Sequence, residues 1–494
     1  MFRSFFLVRT LPLAIAAVIL GACAVGPDFL PPPPPDVSVY DYTPTPATTA
    51  DGAQELLPYA DIPAEWWALF HSEALNKLVT QAIKDNPDLA SAEAALRVAE
   101  DNLSAGGAAF FPVASGSFAS QRSETSKLSP GGRSIYTLYN ASVGVSYNLD
   151  IWGGTRRQVE ALQAEAEGAR FQKEAAYLAL TSNVVTLAVS EASFREQIAA
   201  MQEIIAAQAK VLEIFKLRFA SGAVAKNAVV AQQAALSSVE ANLPPLQHQL
   251  AVTRHALSAL IGQMPSGQPA DEFRLADISL PHKIPLSLPS KLVEQRPDVR
   301  AAEEALHAAS AAIGVAEAAR LPNITLSADI GSMAKFLSKL FTPGSGFWSV
   351  GAGAAETLFD AGALAEKEQA ARDTYDIAAA QYRKTVLAAF QNVADTLHAL
   401  QSDAETLTIR RTAEKAASEN LALTQSQFDA GAVGIAEFLL AQQSMQQAKA
   451  ASIQAQAQRY ADTAALFAAL GGGWWNRSLE NKMDAPSSSE KGSL

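Results

Sequence analysis

Cysteine is nearly absent from this sequence of 494 residues: Cys23 stands alone, so no disulfide can close within the chain. Histidine is scarce. The six are His71, His248, His255, His282, His307 and His398; His248 and His255, seven apart, can share a helix face, but no acid or cysteine completes a ligand set with them. No Walker A, GxSxG, HExxH or CxxC string occurs. The glycines of "GGGWW" follow a helix instead of opening one, so they do not cradle phosphate. Nothing supports an enzyme, and no cofactor or metal is called for. Positive charge is short as well. The formal net charge is −12, and removing Arg3 and Arg9 with the first 22 residues leaves −14. That argues against nucleic acid as a partner, which wants a basic face, and is compatible with a wet passage favouring cations. Beyond the N-terminus no run reaches the ~20 apolar residues of a membrane-spanning helix.

What is there begins with "MFRSFFLVRTLPLAIAAVILGACAVGPDF". Arg3 and Arg9 make a basic n-region, Leu11 to Leu20 an apolar h-region, and small residues close it ahead of Cys23. Residues 1–22 therefore read as a secretory signal peptide. The string "LGAC" resembles a bacterial lipobox, which implies cleavage before Cys23 and covalent lipid on its thiol and new amino group. An ordinary signal with an incidental cysteine is the alternative. Ala24 stands where an Asp would be associated with retention at the inner membrane, so sorting to the outer membrane is the expectation. Each buried lipid methylene contributes about 0.8 kcal/mol. Residues 23–63 then form a lipidated, Pro-rich tether, expected to run extended as a spacer at ~3.1 Å per residue in its polyproline parts.

The rest is said twice. "NPDLASAEAAL" (Asn86 to Leu96) returns as "RPDVRAAEEAL" (Arg296 to Leu306), an offset of 210 residues, and Pro112 returns as Pro322 at the same offset. "FASGAV" (Phe219 to Val224) returns as "FDAGAV" (Phe428 to Val433) at 209. "SALIG" at 258–262 has its counterpart in "FAALGGGW" at 467–474. Ordered landmarks at a nearly constant offset indicate an internal two-fold repeat, 64–262 and 293–473, with a linker at 263–292 and a polar C-terminal tail at 474–494.

Within each copy the hydrophobic period switches. Tyr139, Ala141, Val143, Val145, Tyr147 and Leu149 alternate with Asn140, Ser142, Gly144, Ser146 and Asn148. Ile324, Leu326, Ala328 and Ile330 alternate with Asn323, Thr325, Ser327 and Asp329. These are strands with one apolar and one wet face. Segments 113–123 and 347–359 supply one partner each, giving hairpins at 113–151 and 322–360. Then come long helices. From Tyr177 an apolar stripe at 3,4 spacing runs through Leu180, Val184, Leu187, Phe194, Ile198, Met201, Ile205, Leu212 and Phe215 to Phe219, broken only by Glu191 and Gln208. Proline is missing between Gly153 and Gly222, and a helix of that size spans roughly 100 Å. A second long helix is expected from about 363 to 428. Gly222 and Gly431 suit the left-handed residue that ends a helix. Segments 219–226 and 428–435 are thus the tips of two helical hairpins, whose return helices cover 226–262 and 435–470. "LPP" at 243–245 must break the first of these.

Four amphipathic strands cannot close a membrane barrel, which begins at about eight, and open edges in lipid would each cost several kcal/mol. Three chains would supply twelve strands. Here the residues carry a resemblance. "LGACAVGPDF", the Trp66, Trp67 and Phe70 cluster, the duplicated "PD" helices, the paired tips and "LGGGW" together resemble the TolC/OprM (NodT-like) outer-membrane factor family over essentially the whole chain. The resemblance implies an α+β membrane protein: a homotrimer whose 12-stranded outer-membrane β-barrel continues into a long α-helical coiled-coil periplasmic tunnel. A mixed belt from 64–85, 263–292 and 471–494 would surround the tunnel. The implied function is the passive exit duct of a tripartite efflux system, lipid-anchored in the bacterial outer membrane and docked through a periplasmic adaptor to an inner-membrane RND-type pump.

Phe219, Gly222, Ala223, Val224, Phe428, Gly431, Ala432 and Val433 match the adaptor-docking tips of that family. Glu437 matches the first of two acidic positions in its periplasmic gate; Leu440 stands where the second acid belongs, and an apolar constriction there is a substitute, since apolar rings gate by dewetting. The other reading of Glu437 is a helix-start carboxylate favoured by the helix dipole. The exit duct of a type I protein secretion system, and a structural coiled-coil lipoprotein spacer, are the rival functions.

Overall fold

The computed structural model describes residues 24–42, 46–128, 130, 132–266 and 273–477. The signal segment 1–22, Cys23 and tail residues 478–494 lie outside the described residues.

The described residues form nine α-helices and six strands: β1 Glu55–Pro58, α1 Glu73–Asp85, α2 Pro87–Gly107, β2 Val113–Glu124, β3 Ile135–Leu149, α3 Gly154–Ala220, α4 Lys226–Glu240, α5 Leu243–Leu260, β4 Lys283–Leu286, α6 Pro289–Gln295, α7 Pro297–Ala318, β5 Asn323–Ala334, β6 Gly346–Ala355, α8 Ala363–Asp429 and α9 Ile435–Ala469. Helices α3 and α8 are each 67 residues long, as the proline-free runs require. The first return helix breaks between Glu240 and Leu243, where Pro244 and Pro245 open α5. No described helix is long and apolar enough to cross a membrane.

The chain divides into two compact units, taken in turn. Among the described residues, the first comprises 24–32, 95–170 and 301–383. Its centre is an antiparallel sheet of order β2-β3-β5-β6. Register places Gly116, Val143, Ile330 and Trp348 in one row across all four strands. On that face Phe118, Ile330, Trp348 and Val350 are between 62% and 76% exposed, which is far more apolar surface than a water-facing sheet carries. The opposite face holds cross-strand polar pairs: Ser117 with Ser142 at 2.9 Å, and Thr325 donating to Asn148 at 2.7 Å. Alternation in the sequence is therefore alternation in space, and β2 and β6 each keep one edge unpaired among the described residues.

The second unit comprises the described residues within 33–94, 171–300 and 384–477. Its core gathers Trp66, Phe70, Leu75 and Phe467, all fully buried, with Trp66 stacked on Phe467 at 5.4 Å. Trp474 donates its indole N–H to the Gln295 carbonyl at 2.7 Å, closing the segment after α9 onto α6. The two polar residues that interrupt the stripe of α3 are buried rather than turned outward. Glu191 accepts from Arg195 at 2.9 Å and lies 3.6 Å from Arg254 of α5, so the charge sits among cations.

Residues 24–63 need a correction. The spacer reading fails for a large part of them, because β1 pairs in parallel with β4, Leu56 opposite Ile284, and Leu56 is buried. Arg459 of α9 is buried too, and its guanidinium binds Asp51, Gln54 and Thr49. A buried guanidinium requires such partners, and they come from the segment read as free. Arg459 holds the Asp51 carboxyl well below the usual carboxylate range.

Candidate functional site

The two tips end in the same way. Gly222 has φ +75° and Gly431 φ +73°, and no atom lies where a Cβ would sit at either, so backbone conformation and not crowding demands glycine. The Gly222 amide donates to the Phe219 carbonyl at 3.0 Å and that of Ala223 to Arg218 at 2.8 Å; Gly431 donates to Phe428 and Ala432 to Gln427 at the same distances. Both are Schellman stops, in which left-handed glycine satisfies the last carbonyls of a long helix. Phe219 is 44% exposed at the end of α3. Gly222, Ala223, Gly431 and Ala432 are exposed, and Val224 and Val433 half-buried.

Phe428 behaves differently from its counterpart Phe219. It is the middle of an aromatic stack, with Phe215 on one side and Phe438 on the other, each at 5.3 Å and near parallel. Arg218 lies over the Phe428 ring at 5.6 Å and donates to Asp429 at 3.0 Å. The stack joins α3, α8 and α9. Motif matching missed Phe215, Arg218, Asp429 and Phe438; the signal for Phe215 was its place on the apolar stripe, while Arg218 and Asp429 have no local signal beyond flanking the tips.

Glu437 is exposed at the third position of α9, with Oε2 held 2.9 Å from where a Cβ of Gly434 would lie. Leu440, one turn on, is 67% exposed and borders a cleft of about 430 Å³ lined half by amides, among them Gln208, Asn242, Gln443 and Gln447, and half chiefly by small and aliphatic side chains. Further along α9, Asp462 meets Asp403 of α8. Burial, and then the Asp462 carboxyl beside it, push Asp403 up to about 7. Among the described residues no group of three His, Cys, Asp or Glu side chains could hold a metal ion.

At the other candidate site, Cys23 lies outside the described residues, but the residues after it sit in a cradle. The Arg157 guanidinium donates to the carbonyls of Val25 (3.1 Å) and Gly26 (3.3 Å) and to Asp28 (2.6 Å), and its remaining arm reaches Glu160 at 2.8 Å. The Val25 amide donates to the Trp152 carbonyl at 2.9 Å. Gly26, at φ +91°, approaches Gly314 so closely that a Cβ on it would lie 2.4 Å from the Gly314 Cα. Phe29 stacks on His307 at 4.4 Å, and His307 is bonded to Glu160 at 3.0 Å. No local pattern signals this cradle, since its partners lie well over a hundred positions apart.

Comparison with known proteins adds an independent line. The profile of the family described as outer membrane efflux protein matches the chain twice, over residues 78–263 and 288–472. A probable efflux pump outer membrane protein of Pseudomonas putida, TtgC, is 29% identical over 98% of this chain and 99% of its own length. Nodulation protein T of Rhizobium leguminosarum is 27% identical over 94% of this chain and 93% of its own length. Among solved structures, the outer-membrane channel OprN superposes with a TM-score of 0.82 at 26% identity, covering 92% of this chain and all of its own. The outer membrane protein VceC of Vibrio cholerae gives 0.78 at 26% identity, over 84% of this chain and all of its own.

Proposed function

The chain belongs to the outer membrane efflux protein family, and from that premise we propose that it is the passive outer-membrane exit duct of a tripartite efflux system. It resides in the bacterial outer membrane with a periplasmic extension. The observation that carries the finer reading is the sheet: four strands, an exposed apolar face, a polar face and two unpaired edges. Unpaired edges are not tolerated in lipid, where each unsatisfied amide or carbonyl costs several kcal/mol, so membrane insertion demands closure. Three copies, joined β6 to β2, would close twelve strands with the apolar row outward, an even number within the range of outer-membrane barrels. The strands run from 10 to 15 residues, enough for a tilted crossing. A spacer lipoprotein leaves that apolar face without a use.

The long helices α3 and α8 with their return helices form the tunnel wall of the homotrimer, and the twofold match of one family profile supports descent from a duplicated half. The exposed tips around Gly222 and Gly431 dock the periplasmic adaptor, which connects the duct to an inner-membrane pump of the RND type. Glu437 and Leu440 narrow the periplasmic end. Lipid on Cys23 holds the chain to the membrane from a segment that Arg157 anchors. Transport energy comes from the pump, and the duct conducts.

The test is the native mass of the mature protein extracted from membranes in mild detergent. A trimer is expected. A monomer would leave four strands unable to span the membrane and would overturn the barrel.

A further inference from the structure

The sheet carries only three side chains that are charged at neutral pH along its strands: Arg122 and Glu124 at the loop end of β2, and Asp329 in the middle of β5. Arg122 and Glu124 share the face of Phe118. Asp329 is on the other face, in the row Ser115, Gly144, Asp329, Ser349 that crosses all four strands. It is half-exposed, and Ser349 donates to its Oδ2 at 3.4 Å. Gly144 sits directly opposite, and a Cβ on it would lie 2.6 Å from Asp329 Oδ1. A glycine inside a strand marks a close approach; here the thing that approaches is a carboxylate. The niche therefore has a purpose that the strand alone does not require.

A mid-sheet carboxylate cannot face hydrocarbon without a large penalty, so this row faces water. Resting on the trimeric duct proposed above, we infer that Asp329 contributes one of three carboxylates to a ring in the lumen of the membrane-embedded segment, and that this ring favours cationic over anionic solutes there. The site is remote in sequence from the helical tips and adds a selectivity element of its own to the path. Twelve strands spaced by ~4.8 Å and tilted by about 40° enclose a backbone radius of about 12 Å. Side chains then bring the three carboxylates to roughly one Debye length from the axis at ~0.1 M salt. The ring biases passage at low ionic strength and is screened near ~1 M.

Ser349→Cys places a thiol beside the carboxylate, and in the mature chain it is read against a parent whose own cysteine is the lipidated Cys23. Intact cells are labelled from outside with a quaternary-ammonium and with a sulfonate methanethiosulfonate, in the Asp329 and Asp329→Asn backgrounds. The cationic reagent should react faster than the anionic one by on the order of tenfold at low salt, and Asp329→Asn or ~1 M salt should remove most of that ratio. Equal rates that Asp329→Asn leaves unchanged would overturn the ring while the duct stands. A thiol at 349 that neither reagent reaches, with Val143→Cys on the other face reactive instead, would invert the faces and overturn it as well. Failure of the duct reading shows separately, as a monomer by native mass.

Discussion

Arg218 of α3 and Asp429 of α8 form an ion pair at 3.0 Å at the tips of the two long helices, with the Arg218 guanidinium also resting on the Phe428 ring. The pair is partly solvent-exposed, 33% at Arg218 and 51% at Asp429, so its Coulomb energy is largely screened. The aromatic stack beneath it is the stronger tie. Phe438 is fully buried. Asp429→Ala should cost under about 1 kcal/mol, whereas Phe438→Ala should cost about 3–5 kcal/mol locally through the cavity it leaves. Hydrogen exchange at the tip amides measures both; equal protection loss in the two variants would contradict this ordering.

Gly431→Pro removes the amide that bonds Phe428 and imposes φ near −65° on a residue at +73°. The tip should refold locally and efflux should fall to background, while the native mass stays that of wild type. The tip lies far in sequence from every strand of the sheet, and export assays paired with detergent-phase mass separate docking from assembly. An export-competent Gly431→Pro variant would remove the tip from the docking surface.

Leu440→Ala trims an exposed side chain at the cleft beside α9, so it should change stability by less than about 0.5 kcal/mol. If Leu440 forms the apolar ring of the periplasmic constriction, single-channel conductance in planar bilayers should rise. Glu437→Gln should by contrast lower cation preference at unchanged conductance, because only the charge is removed. Unchanged cation preference in Glu437→Gln would make Glu437 a helix-start carboxylate and nothing more, and unchanged conductance in Leu440→Ala would remove Leu440 from the constriction.

Asp403 holds its proton to about 7, whereas an unfolded chain releases it near 4. The folded state binds the extra proton between those values, so the contribution is present in full below about pH 4 and is lost as pH rises through about 7. Asp462 raises the value and Arg459 opposes it. With partial exposure discounted, the loss is on the order of 1 kcal/mol. Thermal unfolding should show a midpoint that falls from pH 5 to 8 in wild type and falls less in Asp403→Asn, which should be the more stable variant at pH 8. Parallel pH profiles would assign the slope to other groups.

Some of this was legible without coordinates. Strict alternation over 139–149 and 323–330 could only be a two-faced strand, and the proline-free runs ending at Gly222 and Gly431 could only be long helices with left-handed stops. Both signals are local: side-chain period and backbone φ follow from neighbours within one or two turns.

What the tertiary structure alone decided is which charges are paired and which segments are held. Arg157 with Val25 and Asp28, Arg459 with Asp51, and Glu191 with Arg254 look in the sequence like solvated helix charges or a loose proline-rich spacer. Their partners stand from about sixty to over four hundred positions away. Burial of a guanidinium or carboxylate is a property of the packed interior, and only packing selects the residue that neutralises it. The local pattern thus determined the pieces and their ends, while desolvation within the assembled units determined the polar contacts that hold them.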